Sequence, residues 1–218
     1  MSDPLHVRFD PSTARPAAFR GVLPELWRYC CAAYLNLAGW TMRGDWPRDI
    51  PKMVLIAAPH TSNWDGINML AAAGYYRVPL KWMGKKELTT GPLGGVVKWL
   101  GCVPVDRQAS KNGGGSDLVR QMKDAFSASS RMVLAVAPEA TRAATREWKS
   151  GFYHIAQAAG APLVVSVLDY GTRTITLAGA VTPSGDYAAD LARIKAYYDG
   201  AKGLREENFV HEKEDRQR

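Results

Sequence analysis

A histidine and an aspartate stand five positions apart in the segment APHTSNWD, residues 58–65, which ends a run of apolar residues. A carboxylate on one imidazole nitrogen fixes the tautomer of a histidine and leaves its other nitrogen free as a base. The pair of His60 and Asp65 could therefore take a proton from a hydroxyl that attacks an ester or a thioester. The alternative is structural, with Asp65 capping a helix and His60 a satisfied turn residue. The octet alone leaves both interpretations open.

The two side chains can meet only if the chain folds back between them. An extended segment separates residues by roughly 3.3 Å each, and a straight helix turns about 100° per residue, which puts these two on different faces. The intervening Thr61, Ser62 and Asn63 favour turns and helix starts. The sequence therefore predicts His60 on a strand-to-helix turn and Asp65 in the first turn of the helix.

Other catalytic and cofactor motifs are missing from the sequence. There is no G-x-S-x-G elbow, no P-loop and no G-x-G-x-x-G fingerprint. The other histidines, His6, His154 and His211, lack the spacing of metal ligands. We therefore expect neither a metal site nor a bound cofactor.

The elements that must position the pair alternate between strands and helices. Apolar runs predict strands over 53–59, 79–84, 102–105, 131–138, 162–170 and 174–179. Helices are predicted over 24–39, 65–76, 117–128, 150–159 and 186–199, with a short one within 92–101. This alternation indicates an α/β fold with a mostly parallel sheet flanked by helices, and ligands bind such sheets at the carboxyl ends of strands. APHTSNWD and a second segment, APEATR, both lie at such ends.

The 218 residues suffice for one α/β domain, which we place at 49–200 between an N-terminal extension, 1–48, and a charged tail, 201–218. The extension carries no secretory signal, and no window of about 18 apolar residues could span a membrane. Its amphipathic helix, 24–39, either packs on the domain or lies in a membrane interface. Three cysteines, two of them adjacent, favour free thiols and a reducing compartment.

The net charge of +7 is concentrated between residues 77 and 149, which hold thirteen Lys and Arg residues against six acids. Such a segment indicates an anionic partner, namely a phosphorylated substrate, anionic lipid headgroups or nucleic acid, or else a solvated face. The sequence has no helix-turn-helix signal and no aromatic-interleaved RNA motif, so we expect no nucleic acid.

Three further segments follow APHTSNWD in a fixed order: GKKELTTGPLGGVVKWLGCVPVDR at 84–107, APEATRA at 137–143 and WKSGFYHIAQAAGAPLVVSVL at 148–168. Together the four resemble the sequence blocks of the glycerophospholipid acyltransferases, the lysophosphatidic acid acyltransferase family. Those blocks are H-x4-D, G-x-x-F-x-x-R, P-E-G-T-R and a late apolar strand with a proline. The resemblance covers residues 50–180 and implies a glycerol-3-phosphate acyltransferase-like fold.

The resemblance implies a role for each matching residue. His60 would deprotonate the acceptor hydroxyl with Asp65 as its orienting partner. The alkoxide would then attack the thioester of acyl-CoA or acyl carrier protein without a covalent acyl-enzyme. An arginine suits the phosphate of the acceptor because its planar fork donates two hydrogen bonds. The acceptor site would use Lys85, Gly101, Arg107, Glu139, Ala140, Thr141, Arg142 and Lys149.

Three residues depart from the family pattern. Pro104 stands in place of the phenylalanine of the second block, and Ala137 and Ala140 change the third block. If the glycine that Ala140 replaces has a positive φ or lets a ligand approach, alanine costs on the order of 1 kcal/mol or narrows the pocket. We therefore expect 1-acylglycerol-3-phosphate as the acceptor, with another lipid or a small molecule as the alternative.

The expected substrates reside in bilayers, so the protein must reach a membrane. Interfacial tryptophans and the basic segment predict a peripheral protein on the cytoplasmic face of the cell membrane, bound to anionic lipids. The candidate tryptophans are Trp27, Trp40, Trp46, Trp82 and Trp99. The second hypothesis is a non-catalytic protein with the same fold that binds an anionic lipid without turnover.

Overall fold

One mixed sheet organises this structure, a computed structural model that describes residues 6–8, 22–105, 115–145 and 147–209. The order of its strands is β1-β8-β7-β3-β6-β4-β5, and β2 also pairs with β8. Both β1 and β2 lie along the outer edge of β8, against residues 179–181 and 174–176 respectively. The strands are β1 (His6–Arg8), β2 (Thr41–Arg43), β3 (Lys52–Ala58), β4 (Leu80–Lys85), β5 (Cys102–Val105), β6 (Met132–Val136), β7 (Leu163–Asp169) and β8 (Thr174–Val181).

The centre of the sheet is parallel and buried on both faces. Strands β7, β3, β6, β4 and β5 run in one direction, whereas β8 runs antiparallel to β7. Residues 53–56 of β3 and 163–165 of β7 are all buried, as near-continuous apolar sequences require in such a sheet. The predicted α/β fold with a mostly parallel sheet is confirmed. Because the central strands are parallel, their carboxyl ends meet along one side, which we call the carboxyl edge.

Helices cover both faces of the sheet. One face packs against α5, α6 and α7 through a core that includes Phe126, Ile155 and Ile194. The other face is covered by α1 and α2, where Leu35 and Ala72 share a smaller core. The helices are α1 (Val22–Leu37), α2 (Asn63–Tyr75), α3 (Lys86–Thr90), α4 (Gly94–Trp99), α5 (Gly115–Ala128), α6 (Gly151–Ala159) and α7 (Tyr187–Lys195), with 3-10 turns at Ala196–Tyr198 and Glu206–Asn208.

The elements predicted from the sequence are present, with ends that differ by at most four residues. Three short elements were not predicted: β1, β2 and α3. They are three to five residues long, too short to show a hydrophobic period. In addition, β1 and β2 gain their hydrogen bonds from β8, and the local sequence does not reveal such a long-range pairing.

The proposed boundaries near residues 48 and 200 remain predictions. The start of the predicted tail is tied to the end of β7, since Lys202 donates its N–H to Asp169 Oδ1 at 2.9 Å and accepts from the Tyr170 N–H at 2.9 Å. Among the described residues, no helix is long and apolar enough to cross a bilayer. Cys30, Cys31 and Cys102 are free, as predicted.

Candidate active site

Two loops lie side by side at the carboxyl edge. Strands β3 and β6 are neighbours, and β3 ends at Ala58 while β6 ends at Val136. We call residues 58–65 the histidine loop and residues 137–143 the glutamate loop. His60 lies between β3 and α2, and Asp65 lies in the first turn of α2, as the sequence predicts.

The imidazole of His60 faces the carboxylate of Asp65. Nδ1 of His60 lies 3.5 Å from Oδ2 of Asp65, and the Asp65 side chain is 3 % exposed whereas that of His60 is 29 % exposed. Because Nδ1 faces the carboxylate, Nε2 is the nitrogen that can serve as a base. A substrate can therefore reach the imidazole, while the charge that supports it is shielded from water and acts through a weakly polar medium.

Four hydrogen bonds hold the Asp65 carboxylate. Oδ2 accepts from the N–H groups of Thr61 and Ser62 at 2.6 and 2.7 Å. Oδ1 accepts from the hydroxyls of Ser62 and Tyr170 at 2.6 and 2.7 Å. Burial alone would raise the pKa of Asp65, but hydrogen bonds with His60, Ser62 and Tyr170 outweigh it and hold that pKa below its ordinary value. One charged carboxylate thus caps α2 and also faces His60, while the catalytic role of the pair stays a prediction.

Tyr170 was not predicted. It follows β7 and stands 105 positions from Asp65, and its hydroxyl reaches the carboxylate because β7 pairs with β3. A single tyrosine after an apolar strand belongs to no motif, so no signal in the sequence marks it.

The carboxyl group of Glu139 lies beneath the backbone of His60. Its Oε1 accepts from the His60 N–H at 3.0 Å, and its buried Oε2 has no hydrogen-bond partner among the described residues. Glu139 is 4 % exposed. Burial raises its pKa to about 7, although hydrogen bonds from its own backbone and from His60 oppose the shift. The structure therefore shows Glu139 holding the histidine loop, while its predicted role in binding the acceptor stays a prediction.

The backbone of Ala140 has the left-handed conformation that favours glycine. Its φ is +54°, and its side chain is exposed. A positive φ at this position was the condition under which the sequence predicted a cost for alanine, and it is met. Alanine here costs on the order of 1 kcal/mol relative to glycine. The turn continues through Thr141, whose Oγ1 accepts from the Ala143 N–H at 3.1 Å.

Arg142 joins the two loops to the segment after the last helix. Its Nη1 donates to Asn63 Oδ1, and its carbonyl accepts from Asn208 Nδ2 at 2.9 Å. Arg205, from the same segment, donates its N–H to Thr61 Oγ1 at 3.3 Å. These contacts form the walls of an open cleft of about 590 Å³, and the described residues that line it include two arginines and no acid. It is lined by Thr61, Ser62, Asn63, Trp64, Arg142, Ala143, Leu204, Arg205 and Asn208.

Of the nine lining residues, Arg142 alone was among the predicted site residues. The eight others are Thr61, Ser62, Asn63, Trp64, Ala143, Leu204, Arg205 and Asn208. Three of them lie beyond residue 200, in the stretch that the sequence analysis assigned to a charged tail. Arg205 lies in a run of mixed charges, and no local pattern in the sequence distinguishes it from the charged residues around it. Only the fold brings it back to the site.

The remaining predicted site residues are spread over a wider region. Lys85 is exposed at the carboxyl end of β4, on the same edge as His60. Lys149 is exposed, and its N–H donates to the Pro138 carbonyl at 2.8 Å, which braces the start of the glutamate loop. Arg107 lies outside the described residues.

Gly101 has a backbone reason for its identity. It precedes β5 with a φ of +90°, and an added Cβ would collide with the carbonyl oxygen of Leu80. The strand register places it short of the carboxyl edge. Its predicted role at the acceptor site is untouched by this observation and stays a prediction.

In the part of the chain that the structure describes, no group of three His, Cys, Asp or Glu side chains could hold a metal ion. The groups at the carboxyl edge are an imidazole that faces a buried carboxylate, beside a cleft lined by two arginines. Such an arrangement can take a proton from a hydroxyl and bind an anionic substrate.

Comparisons with known proteins bear on the fold and on the family of the chain. No curated protein matches the chain. Among solved structures it is similar to the 1-acyl-sn-glycerophosphate (LPA) acyltransferase PlsC from Thermotoga maritima, at 14 % identity and a TM-score of 0.53 over 81 % of this chain and 79 % of that one. At that identity the likeness shows a shared fold.

A family model described as Acyltransferase matches residues 46–168, more than half of the chain. The matched stretch contains the histidine loop, the glutamate loop and the strands β3 to β6 that carry them. The chain belongs to the Acyltransferase family.

Proposed function

We propose that this acyltransferase moves a fatty acyl group from acyl-CoA or acyl carrier protein to the hydroxyl of a lysophospholipid, with 1-acylglycerol-3-phosphate as the preferred acceptor. The observation that carries the proposal is the pair of His60 and Asp65, with Nδ1 and Oδ2 3.5 Å apart, beside a cleft whose described lining includes two arginines. The similar structure is that of an acyltransferase for 1-acyl-sn-glycerophosphate, which supports the choice of acceptor.

The proposed reaction needs one base and no bound cofactor. Nε2 of His60 takes the proton of the acceptor hydroxyl while its oxygen attacks the thioester carbonyl carbon, and Asp65 stabilises the imidazolium. The tetrahedral intermediate then breaks its C–S bond, and the departing thiolate receives the proton from His60. An ester and a free thiol result, and the imidazole returns to its starting state.

Direct attack by the acceptor suits the state of the two buried thiols. Burial raises the pKa of Cys31 to about 11, with a further contribution from the neighbouring Cys30. Burial also raises the pKa of Cys102, although a hydrogen bond from the Gly84 backbone opposes the shift. Because the thiolate is the reactive form, these cysteines are poor nucleophiles at neutral pH. This supports a mechanism without an acyl-cysteine.

The phosphate of the acceptor has cationic partners in the cleft. Arg142 and Arg205 line it, and guanidinium groups bind phosphate through paired, charge-assisted hydrogen bonds. We assign the phosphate to these two residues. Lys85, Arg107 and Lys149 remain candidates for a wider anion pocket.

We also propose peripheral attachment to an anionic membrane on the cytoplasmic face. Trp27 of α1 and Trp99 of α4 are exposed and meet edge to face, with ring centroids 5.7 Å apart. Amphipathic aromatic rings favour the headgroup region of a bilayer. Trp40 and Trp46, which the sequence analysis offered as interfacial residues, are buried in the core. Other exposed apolar side chains on α1, α2 and α4 are Leu26, Tyr29, Leu37, Trp64, Ile67, Leu93 and Val96.

Transfer from labelled palmitoyl-CoA to 1-acylglycerol-3-phosphate tests the reaction, with His60→Ala and His154→Ala as a matched pair. His154 is an exposed residue of α6, outside the cleft lining. We expect labelled phosphatidic acid from the native chain and from His154→Ala, and none from His60→Ala. Loss of thioester without this product would point to another acceptor. If no donor gives turnover that depends on His60, the proposed enzyme activity is wrong and the alternative, a lipid-binding protein, is favoured.

Sedimentation with anionic vesicles tests the membrane surface. The double variant Leu93→Ser/Trp99→Ser removes two exposed side chains of the α4 region, and Trp99→Phe keeps an aromatic ring as the control. We expect binding to fall for the double variant and to persist for Trp99→Phe. Unchanged binding of the double variant would exclude this surface as the anchor.

A further inference from the structure

The Asp65 carboxylate has support from outside its own loop. Tyr170, the residue after β7, donates its hydroxyl proton to Asp65 Oδ1 at 2.7 Å. The other groups that bond to this carboxylate belong to His60, Thr61 and Ser62, within five positions of it. Tyr170 is thus the donor that links the carboxylate to the sheet.

The Tyr170 hydroxyl is itself oriented by a second side chain. Asn68 of α2, which is 2 % exposed, donates from Nδ2 to this hydroxyl at 3.0 Å. In turn, Asn68 Oδ1 accepts from the hydroxyl of Tyr34, in α1, at 3.0 Å. A tyrosine hydroxyl has one proton, so Tyr170 gives its proton to Asp65 and accepts from Asn68, and every bond in the chain runs toward Asp65.

Packing holds the Tyr170 ring in place. The ring of Trp40 meets it edge to face at 4.8 Å between centroids, and it packs against the cluster that contains Leu168 and Ile175. A ring held this way presents its hydroxyl in one position, unlike the freely rotating hydroxyl of a serine.

We propose that Tyr170 is a positioning residue of the His60–Asp65 pair, and that Asn68 and Tyr34 extend this support to α1. The inference rests on the proposed function of His60 as a base. Without the Tyr170 hydroxyl, Oδ1 of Asp65 keeps only the Ser62 hydroxyl among its described donors, and the orientation of the carboxylate toward Nδ1 is fixed less firmly. It also becomes more basic, because it loses a donor that stabilises its charged form.

The variant Tyr170→Phe isolates the hydroxyl, since it keeps the packed ring. We expect kcat to fall about tenfold, the effect of one hydrogen bond to a charged group, while the KM for the acceptor stays constant. Tyr170 does not line the cleft, which is why binding should be spared. The acidic limb of the pH–rate profile should move to higher pH, because a more basic Asp65 carboxylate stabilises the imidazolium more strongly.

The matched control is Tyr187→Phe. The Tyr187 hydroxyl donates to the Trp148 carbonyl at 3.3 Å, far along the chain from the His60–Asp65 pair, so this variant also loses one tyrosine hydroxyl bond. We expect its kcat and pH profile to match those of the native chain. A second variant, Asn68→Leu, leaves Tyr170 intact but unoriented and should change kcat and the profile in the same direction, by about threefold in kcat.

A readout without turnover separates this inference from the proposed function. Spectra of the 15N-labelled histidines, with His60 assigned through His60→Gln, report its tautomer and titration directly. Glu139, which faces His60 from the glutamate loop, has a pKa of about 7, and a direct signal keeps its titration apart from that of His60. We expect the His60 titration to move to higher pH in Tyr170→Phe and to stay in place in Tyr187→Phe.

Three outcomes decide the matter. A shifted titration with a reduced kcat supports the positioning role. An unshifted titration overturns it, even if activity falls. If the native chain turns over no substrate, the proposed function fails while the titration still decides whether Tyr170 orients the pair. Should Tyr170→Phe not fold, the same comparison between Asn68→Leu and Tyr187→Phe applies.

Discussion

An Ala-Pro pair stands at the carboxyl end of each of two neighbouring parallel strands, β3 and β6, yet the loops that follow are held in different ways. In the histidine loop the Asp65 carboxylate is held mainly from within, since Thr61 and Ser62 donate three of its four hydrogen bonds and Tyr170 donates the fourth. Its aspartate is buried and charged, and each of its oxygens has donors. The position of the Asp65 carboxylate therefore rests mainly on short-range contacts that a sequence of eight residues can encode.

The glutamate loop depends on contacts from elsewhere in the chain. Glu139 bonds to the His60 backbone, while Arg142 bonds to Asn63 and Asn208. One buried oxygen of Glu139 has no hydrogen-bond partner among the described residues, and Ala140 has a left-handed backbone. The same edge thus carries one loop with satisfied bonds and one that stores conformational and desolvation cost. We propose that the first loop serves the reaction and that the second adapts the site to its acceptor.

The largest expected effect concerns the histidine loop. Asp65→Asn should lower kcat about a thousandfold or more, because the amide neither stabilises an imidazolium nor satisfies the same four donors. Acyl transfer from labelled palmitoyl-CoA measures it. Asp186→Asn is the matched control, since Asp186 caps α7 by accepting from the Ala189 N–H and has no contact with His60. A similar fall in both variants would mean that Asp65 acts only as a helix cap.

The buried Glu139 should make stability depend on pH. Its pKa rises from 4.5 to about 7 on folding, so between these values the folded chain keeps a proton that the unfolded chain has released. The free energy of unfolding therefore falls as the pH rises through this window, by at most about 3 kcal/mol. The pKa values of Asp65, Asp169 and Asp190 are lowered on folding. Their effect on the pH dependence of stability therefore falls below pH 3.8, outside the window set by Glu139.

The variant Glu139→Gln removes this titration. Urea unfolding between pH 5 and pH 8 should show a smaller loss of stability than in the native chain, with the gain appearing toward pH 8. Glu147→Gln, at an exposed position just beyond the same loop, should keep the native slope. Equal slopes for all three proteins would show that the Glu139 carboxyl is charged throughout, and the cost assigned to the glutamate loop would disappear.

A third prediction separates binding from chemistry. Arg205→Ala should raise the KM for 1-acylglycerol-3-phosphate about tenfold and leave kcat nearly unchanged, because it removes a charge-assisted bond to phosphate and no reacting group. The KM for a neutral monoacylglycerol should not change. Arg131→Ala, an exposed arginine just before β6 and away from the cleft, is the control. An equal rise for both acceptors would contradict phosphate binding by Arg205.

The sequence predicts what depends on neighbours along the chain and misses what depends on distant ones. Buried strands show as apolar runs, and the five-residue spacing of His60 and Asp65 within turn-forming residues indicates their contact. Strand pairing brings Tyr170 to the site, and the segment after the last helix brings Arg205. Neither long-range contact is visible in the local sequence. Trp40 and Trp99 look alike in the sequence, and the fold alone buries the first and exposes the second.

The smallest expected effect is the most direct test of the glutamate loop. Ala140→Gly should raise the free energy of unfolding by about 1 kcal/mol, because glycine adopts a φ of +54° without the steric cost that alanine bears. For a chain of this length the melting temperature should rise by about 2–4 °C. Ala192→Gly, also at an exposed position but inside α7, should lower stability by about 1 kcal/mol, so the same substitution gives opposite signs. If both variants are destabilised, the backbone at Ala140 is not left-handed in solution, and the two loops differ less than their contacts indicate. If Ala140→Gly is stabilised with an unchanged KM for the acceptor, the alanine costs stability without shaping the pocket.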